Sequence, residues 1–351
     1  MLTLNLHLAY ANAQAGYGKF EMGLWRELVA LGVTVTPSGK WTADFAHDLP
    51  EAVQATLGRR VSGPITLVIG NPFNADPWLV RTTRAWLYTM TETDRMNPKW
   101  VAEINARFER VIVPAPPLVQ VLHDSGVKKP VHVVPIGIDF VPPLSEPTPW
   151  RRKGRLVLGY SLGDARKGAD ATIMAFKRVF GKRPEAQLWI KARSYDMGPK
   201  SFLDGCQDEQ IQILKGSWSE HAWQRLLSMA DMFVFPSRGE GFGMPPREAV
   251  YYAGLPTVAT PWLGMWDAAE WAYPVAIKRM IPAHFSEDTV NAPNALWADP
   301  DLEDLGDRLA WLDEHAQEAC EKAKDGQRYI AEHYTHRRSA EEMISLLEQF
   351  A

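Results

Sequence analysis

One stretch constrains this chain more than any other: Phe235-Pro236-Ser237-Arg238-Gly239-Glu240-Gly241-Phe242-Gly243-Met244-Pro245-Pro246-Arg247-Glu248-Ala249. It begins at the end of an apolar run, Met232 to Phe235, that reads as a buried strand. It ends on a helix whose first turn carries two prolines, where a missing N–H costs little. Between them Gly239, Gly241 and Gly243 let the backbone turn tightly and approach a ligand closely. Strand, glycine-rich loop and helix N-terminus in that order belong to an open α/β sheet. In such sheets this is where anions bind, because free N–H groups and the helix dipole face them.

Two carboxylates bracket the loop, Glu240 within it and Glu248 in the first helical turn. A carboxylate facing a helix N-terminus is held ionised and is a strong acceptor. Paired acceptors beside a phosphate cradle suit a ligand with both phosphates and vicinal hydroxyls, such as a nucleotide sugar. The plainer alternative is that Glu248 caps its helix and Glu240 is solvated; the glycines and prolines weigh against it.

The run Glu240-Gly-Phe-Gly-Met-Pro-Pro-Arg-Glu248-Ala, followed by Ala253-Gly254-Leu255-Pro256 and Val258-Ala259-Thr260, resembles the E-x7-E signature of family 4 retaining glycosyltransferases. The resemblance implies a GT-B fold: α/β, two doubly wound Rossmann-like domains facing across a cleft, with a C-terminal helix returning to the first. By position it gives the donor sugar's hydroxyls to Glu240, the ribose to Glu248, and the sugar and diphosphate to the amides of Phe242, Gly243 and Met244. It also implies metal-independent chemistry with no cofactor. The donor substrate is expected to be a UDP- or GDP-sugar.

The rest of the chain reads in the same frame. Leu2 to Leu8 alternates as a first strand and is too short and uncharged at its start for a signal peptide. A small-residue loop, Ala9 to Gly18, leads into a helix from about Tyr17 to Leu31, closed by Gly32, and a strand at Val33 to Thr36. The full dinucleotide fingerprint is absent, because Glu21 stands where its third glycine would. In the resembled family this first loop closes over the donor diphosphate, which assigns Gly16 to donor binding. Further strands are expected at Ile65 to Ile69, Ala85 to Met90, Val111 to Val113 and Val131 to Ile136, with helices at Pro98 to Phe108 and Leu118 to Asp124. Glu92, Asp94 and Arg95, just past a strand end, are candidates for the acceptor side; the alternative is that Thr93 or Asp94 starts the next helix. Many family members place a histidine near the sugar, but His7 lies mid-strand and His123 on a helix, so none is assigned.

Pro142-Pro143 through Pro149 reads as an extended linker, followed by a basic cluster, Arg151, Arg152, Lys153 and Arg155, better taken as a solvated hinge. The domains are expected at 1–145, 146–330 and a closing helix at 331–351. The second sheet should comprise Leu156 to Tyr160, Leu188 to Ala192, Ile211 to Leu214, Met232 to Phe235 and Thr257 to Ala259, apolar runs typical of buried parallel strands. Its helices fall at Ala169 to Phe180 and Glu220 to Ala230. After its first strand comes Arg166-Lys167-Gly168. The resemblance puts the Lys167 ammonium on the diphosphate; the arginine usual earlier in that loop is missing, and Arg166 is its substitute. Lys191 to Ser194 departs from the family's glycine-rich turn, and Lys215 to Trp218 is a candidate for the base pocket. Trp262, Trp266 and Trp271 read as a sugar-stacking platform or as core. Asp299-Pro300-Asp301 looks like a metal-binding Asp-x-Asp, yet it precedes a helix, Leu302 to Leu312, which favours capping. The tail from Ala316 to Phe350 is helical in pattern.

Composition excludes some classes. Lys and Arg number 38 against 42 Asp and Glu, a formal net charge of −4, which gives no global attraction for nucleic acid or anionic lipid. Two distant cysteines, Cys206 and Cys320, make no metal spacing and suit a reducing, cytoplasmic setting. No apolar run reaches the roughly 18 residues of a membrane span. The expected function is hexosyl transfer to a hydroxyl on a glycan or lipid-linked glycan. One rival acceptor is a hydroxymethylated DNA base, gripped by Arg81, Arg84, Arg95 and Lys99. The other rival is an epimerase or non-catalytic sugar-nucleotide binder of the same shape.

Overall fold

A computed structural model describes residues 2–9, 16–39, 49–60, 63–75, 83–144, 155–161, 165–192, 202–284 and 292–350. The chain divides into two units: residues 1–91, 95–140 and 333–351 form the first, and residues 92–94 with 141–332 the second.

The first unit opens with β1 (Thr3–Leu8), α1 (Gly16–Ala30) and β2 (Thr34–Gly39). A short helix α2 (Glu51–Gln54) precedes β3 (Ile65–Ile69) and β4 (Arg84–Tyr88). Then follow α3 (Pro98–Arg107), β5 (Arg110–Val113), α4 (Pro116–Asp124) and β6 (Val131–Val133). The strands form one parallel sheet in the order β2-β1-β3-β4-β5-β6. Its central strands are buried on both faces, through Leu6, Leu67 and Trp86 on one and Val68, Leu87 and Val111 on the other, as helices on both sides of a parallel sheet require. Helix α3 does not start at Thr93 or Asp94. Asn97 caps it, accepting a hydrogen bond from the Lys99 amide at 2.8 Å with Pro98 at the first position.

The second unit runs β7 (Leu156–Ser161), α5 (Ala169–Phe180), β8 (Gln187–Ala192), β9 (Ile211–Lys215), α6 (Glu220–Met229), β10 (Met232–Phe235), α7 (Met244–Ala253) and β11 (Thr257–Ala259). After these come α8 (Ala268–Trp271), β12 (Tyr273–Pro274), β13 (Ile277–Pro282) and β14 (Leu296–Pro300). The last two form a separate antiparallel pair; the others make a parallel sheet ordered β12-β11-β10-β7-β8-β9. Its core gathers Val157, Phe176, Phe180, Leu188, Ile190 and Val234. The strand order reverses between β7 and β10. In open α/β sheets ligands bind at such a switch point, at the C-terminal ends of the strands.

The helical tail is broken rather than continuous. After α9 (Leu302–Glu314) and α10 (Ala316–His333) the helix stops at Tyr334-Thr335, and α11 (His336–Phe350) belongs to the first unit, packed on α1. There Asp139 accepts from the His336 backbone N–H at 2.6 Å and pairs with its Nδ1 at 2.7 Å. Among the described residues no helix is long and apolar enough to cross a membrane.

Candidate active site

The loops that flank the switch point of the second sheet carry the residues singled out by the motif. The loop after β7 ends Arg166-Lys167-Gly168, and the loop after β10 holds Ser237 to Gly243. They lie against each other: the Arg238 amide donates to the Arg166 carbonyl at 2.7 Å, and Ser237 Oγ lies 3.1 Å from the same oxygen. Gly168, at φ +68°, is needed there, because a Cβ would run into the carbonyl oxygen of Pro236. Gly243, at φ +79°, makes the left-handed turn from which α7 starts, so the loop's last peptides face the N-terminus of that helix.

Glu240 lies at the centre, 4% exposed. Its Oε1 accepts from Lys167 Nζ at 2.7 Å, from Ser237 Oγ at 2.7 Å and from Arg166 Nη1 at 3.3 Å. Burial by itself pushes a carboxyl upward, but the charges of Lys167 and Arg166 outweigh it and hold Glu240 below the ordinary glutamate value. Burial, and then the neighbouring Arg166, pulls Lys167 below the ordinary lysine value, against the pull of Glu240 and Glu92. Arg166 Nη1 also meets the Gly239 carbonyl at 2.9 Å and Glu92 Oε1 at 2.9 Å. Two buried cations and two carboxylates therefore meet within one cluster.

Glu248 is buried on α7, and its Oε2 accepts from Trp223 Nε1 of α6 at 2.8 Å. Glu92 joins the cluster through Arg166. Asp94 is used to hold backbone: its Oδ1 accepts from the Leu296 amide at 2.7 Å. Arg95 is exposed, and the helix-start reading for this segment fails because Asn97 takes that role. Gly16 is the exposed first residue of α1; the loop before it, residues 10–15, lies outside the described residues. His7 is engaged on both ring nitrogens, with Ser38 Oγ at 3.0 Å and the Asn74 carbonyl at 2.9 Å.

The Asp-x-Asp look-alike divides between two structural tasks. Asp301 caps α9, accepting from the Glu303 amide at 2.8 Å. Asp299 accepts from Arg238 Nε at 3.0 Å, and the rest of that guanidinium makes a bidentate pair with Asp170 at 2.8 and 2.7 Å. Among the described residues no group of three or more His, Cys, Asp or Glu is placed to hold a metal. Trp271 is core, whereas Trp266 is 48% exposed and Trp262 half-buried. At the edge of the sheet Lys191 Nζ donates to the Gly216 carbonyl at 2.6 Å and lies 5.5 Å from the centre of the Trp218 ring; residues 193 and 194 lie outside the described residues. Of the basic residues considered for DNA, Arg84 is paired to both oxygens of Glu109 at 2.8 and 2.7 Å, and Arg81 is outside the described residues. In the linker cluster Arg155 pairs with Asp313, and residues 151–153 lie outside the described residues.

Sequence reasoning passed over Ser237, Arg238, Asp170 and the pair formed by Arg247 and Asp267. The available signal was charge within an otherwise apolar setting: Arg247 stands in the first turn of a helix whose neighbours are buried.

Residues 155–283 match the family described as "Glycosyl transferases group 1". Mannosylfructose-phosphate synthase of Agrobacterium fabrum is 26% identical over 260 residues, which is 68% of this chain; the chain spans about half, 53%, of that relative's length. Among solved structures, OtsA without ligand superposes with a TM-score of 0.67 at 11% identity, covering 100% of both chains. Anabaena HepE in complex with UDP-glucose gives 0.66 at 9% identity, again over 100% of both. TarM of S. aureus gives 0.59 at 15% identity, covering 80% of this chain and 55% of that one. At these identities the structural likeness is one of fold, and that fold is GT-B, built from two parallel-sheet, Rossmann-like α/β domains. With the family match, it supports a glycosyltransferase.

Proposed function

We propose that the chain is a retaining glycosyltransferase that moves a hexose from a nucleoside-diphosphate donor to a hydroxyl acceptor without a metal. The observation that carries this reading is the convergence of Lys167, Arg166 and Glu240 in the loops at the switch point of a parallel sheet, with Glu240 in the loop that leads into α7. Two cations and a ring of amides can neutralise a departing diphosphate in a site from which water is excluded.

In this reading Lys167 and Arg166 meet the diphosphate, together with the peptide N–H groups of Phe242, Gly243 and Met244. Glu240 Oε1 is engaged by its cations, and Oε2 is the oxygen assigned to the donor sugar's hydroxyls. Glu248, oriented by Trp223, takes the ribose, and Gly16 is assigned to donor binding. The anomeric C–O bond to phosphate breaks as a C–O bond to the acceptor forms on the same face. The acceptor's proton passes to a diphosphate oxygen. HepE was solved with UDP-glucose, which favours a UDP-sugar as the first donor to try, with a GDP-sugar next. Glu92, next to Arg166, is the residue we assign to the acceptor side.

A glycan or lipid-linked glycan is one acceptor class. The Agrobacterium relative is named for making a phosphorylated disaccharide, which favours a second class, a soluble sugar phosphate. The test is transfer of labelled sugar from UDP- and GDP-hexoses to sugar phosphates, glycans and hydroxymethylated DNA, with the anomer of any product read by NMR. An α-linked product from an α-linked donor is expected. An inverted product removes the retaining assignment, and donor binding without transfer to any acceptor favours a sugar-nucleotide binder.

A further inference from the structure

Arg247 is a charge that the donor reading does not use. It is 0% exposed, in the first turn of α7. Both features are unfavourable: burying an ion carries a desolvation cost, and a cation at a helix N-terminus opposes the dipole. The contacts that offset them join the segment after β11 to the glycine loop. Nη2 donates to Asp267 Oδ1 at 2.5 Å and to the Gly264 carbonyl at 3.0 Å. Nη1 donates to the Phe242 carbonyl and, at 3.4 Å, to the Gly243 carbonyl. The guanidinium carbon lies 4.2 Å from the centre of the Phe242 ring and 4.8 Å from that of Trp271.

The two loop carbonyls matter because a planar trans peptide holds its C=O and N–H in opposite directions. The Phe242 carbonyl shares a peptide with the Gly243 N–H, and the Gly243 carbonyl with the Met244 N–H. Drawing both oxygens to one guanidinium therefore turns both N–H groups away from it. The Glu240–Gly241 peptide, two before that of Phe242 and Gly243, is fixed in the same manner, since the Gly264 amide donates to the Glu240 carbonyl at 2.9 Å.

We propose that Arg247, with Asp267 as its counter-ion, is a positioning residue that aims the N–H groups of Gly243 and Met244 at the donor diphosphate. This rests on reading the loop as the donor site. Because Asp267 balances its charge, Arg247 acts through the backbone and not as a phosphate ligand. Donors already oriented need no rearrangement when negative charge develops on the leaving group.

The test compares Arg247→Met, Arg247→Lys and Asp267→Asn in the full chain. It reads melting temperature, ligand-free hydrogen exchange across residues 239–248, affinity for UDP and GDP, and kcat and KM separately. Arg247→Met is expected to speed exchange in that segment at least ~10-fold relative to β7 and β10, and to lower kcat about 100-fold, the scale of a small misplacement at a reacting centre. Arg247→Lys should recover part of both, and Asp267→Asn should fall between. If Arg247→Met does not fold, the other two variants carry the comparison. Folded variants that melt earlier but keep loop protection and kcat would overturn the proposal. A wild-type chain that binds neither nucleotide would instead overturn the donor reading, while the exchange result still decides whether Arg247 orders the loop.

Discussion

Glu240 stays ionised because of what surrounds it. Lys167, Arg166 and Ser237 all address one of its oxygens, and their charge outweighs the burial that would otherwise protonate it. Its folded value is lowered, so the stabilisation it gives is present above the unfolded glutamate value of about 4.3 and fades as pH falls through the lower folded value. Neutral and mildly acid buffers should leave the cluster intact. Truncation is another matter. From sequence alone Glu240→Ala is expected to spare the fold, but it would strand two buried cations, and breaking a buried pair costs about 3–5 kcal/mol. Glu240→Gln is the cleaner probe: circular dichroism should show a folded chain, and turnover should fall at least ~100-fold. Glu92 gives a prediction of opposite sign. Its carboxylate occupies Arg166 at 2.9 Å, so a diphosphate must compete with it. Glu92→Gln should tighten nucleotide binding several-fold by calorimetry while lowering transfer, whereas weaker binding would show that Glu92 helps to hold the donor. Glu240, Glu248 and Lys167 were legible in the sequence because one contiguous motif and one short loop carry them. Asp267 for Arg247, or Asp170 and Asp299 for Arg238, were not, since each partner comes from another part of the chain and only the fold brings it close.

Elements were legible for a simple reason. Strands buried on both faces are short apolar runs, and Met232–Phe235, Ile65–Ile69 and Thr257–Ala259 stand where those runs stand. Boundaries set by tertiary contacts were harder. Asp94 has the chemistry of a helix cap but spends its carboxylate on the Leu296 amide, and Asn97 starts α3 instead. Asn97→Ala should cost about 1 kcal/mol, seen as a lower melting temperature with no change in the second unit's chemistry. The stop at Tyr334-Thr335 was hidden by the helical pattern on either side of it, and it seats α11 on the first unit through His336. Burial alone would raise Asp139, but His336 prevails and holds it below the ordinary aspartate value. That contribution is full above about pH 3.9 and is lost as pH falls through the lower folded value. Asp139→Asn should therefore reduce stability at neutral pH and narrow its difference from wild type in strong acid, as followed by denaturant melts across pH.

At the scale of the molecule, the second sheet's strand order marks where the proposed donor site lies. The order reverses between β7 and β10, and the loops that follow those two strands meet and bring Arg166, Lys167 and Glu240 together. A ligand bound there stabilises the folded chain by mass action, about 2.7 kcal/mol at a hundredfold excess over Kd. The right nucleotide sugar should thus raise the melting temperature in a dose-dependent way, and sugars lacking the diphosphate should not. The most direct measurement is calorimetric titration of wild type and Lys167→Met with UDP-, GDP-, ADP- and CMP-sugars. A diphosphate site predicts that at least one diphosphate sugar binds wild type and that Lys167→Met weakens it tenfold or more. Equal affinity in the two proteins, or binding of none of the four, would contradict it.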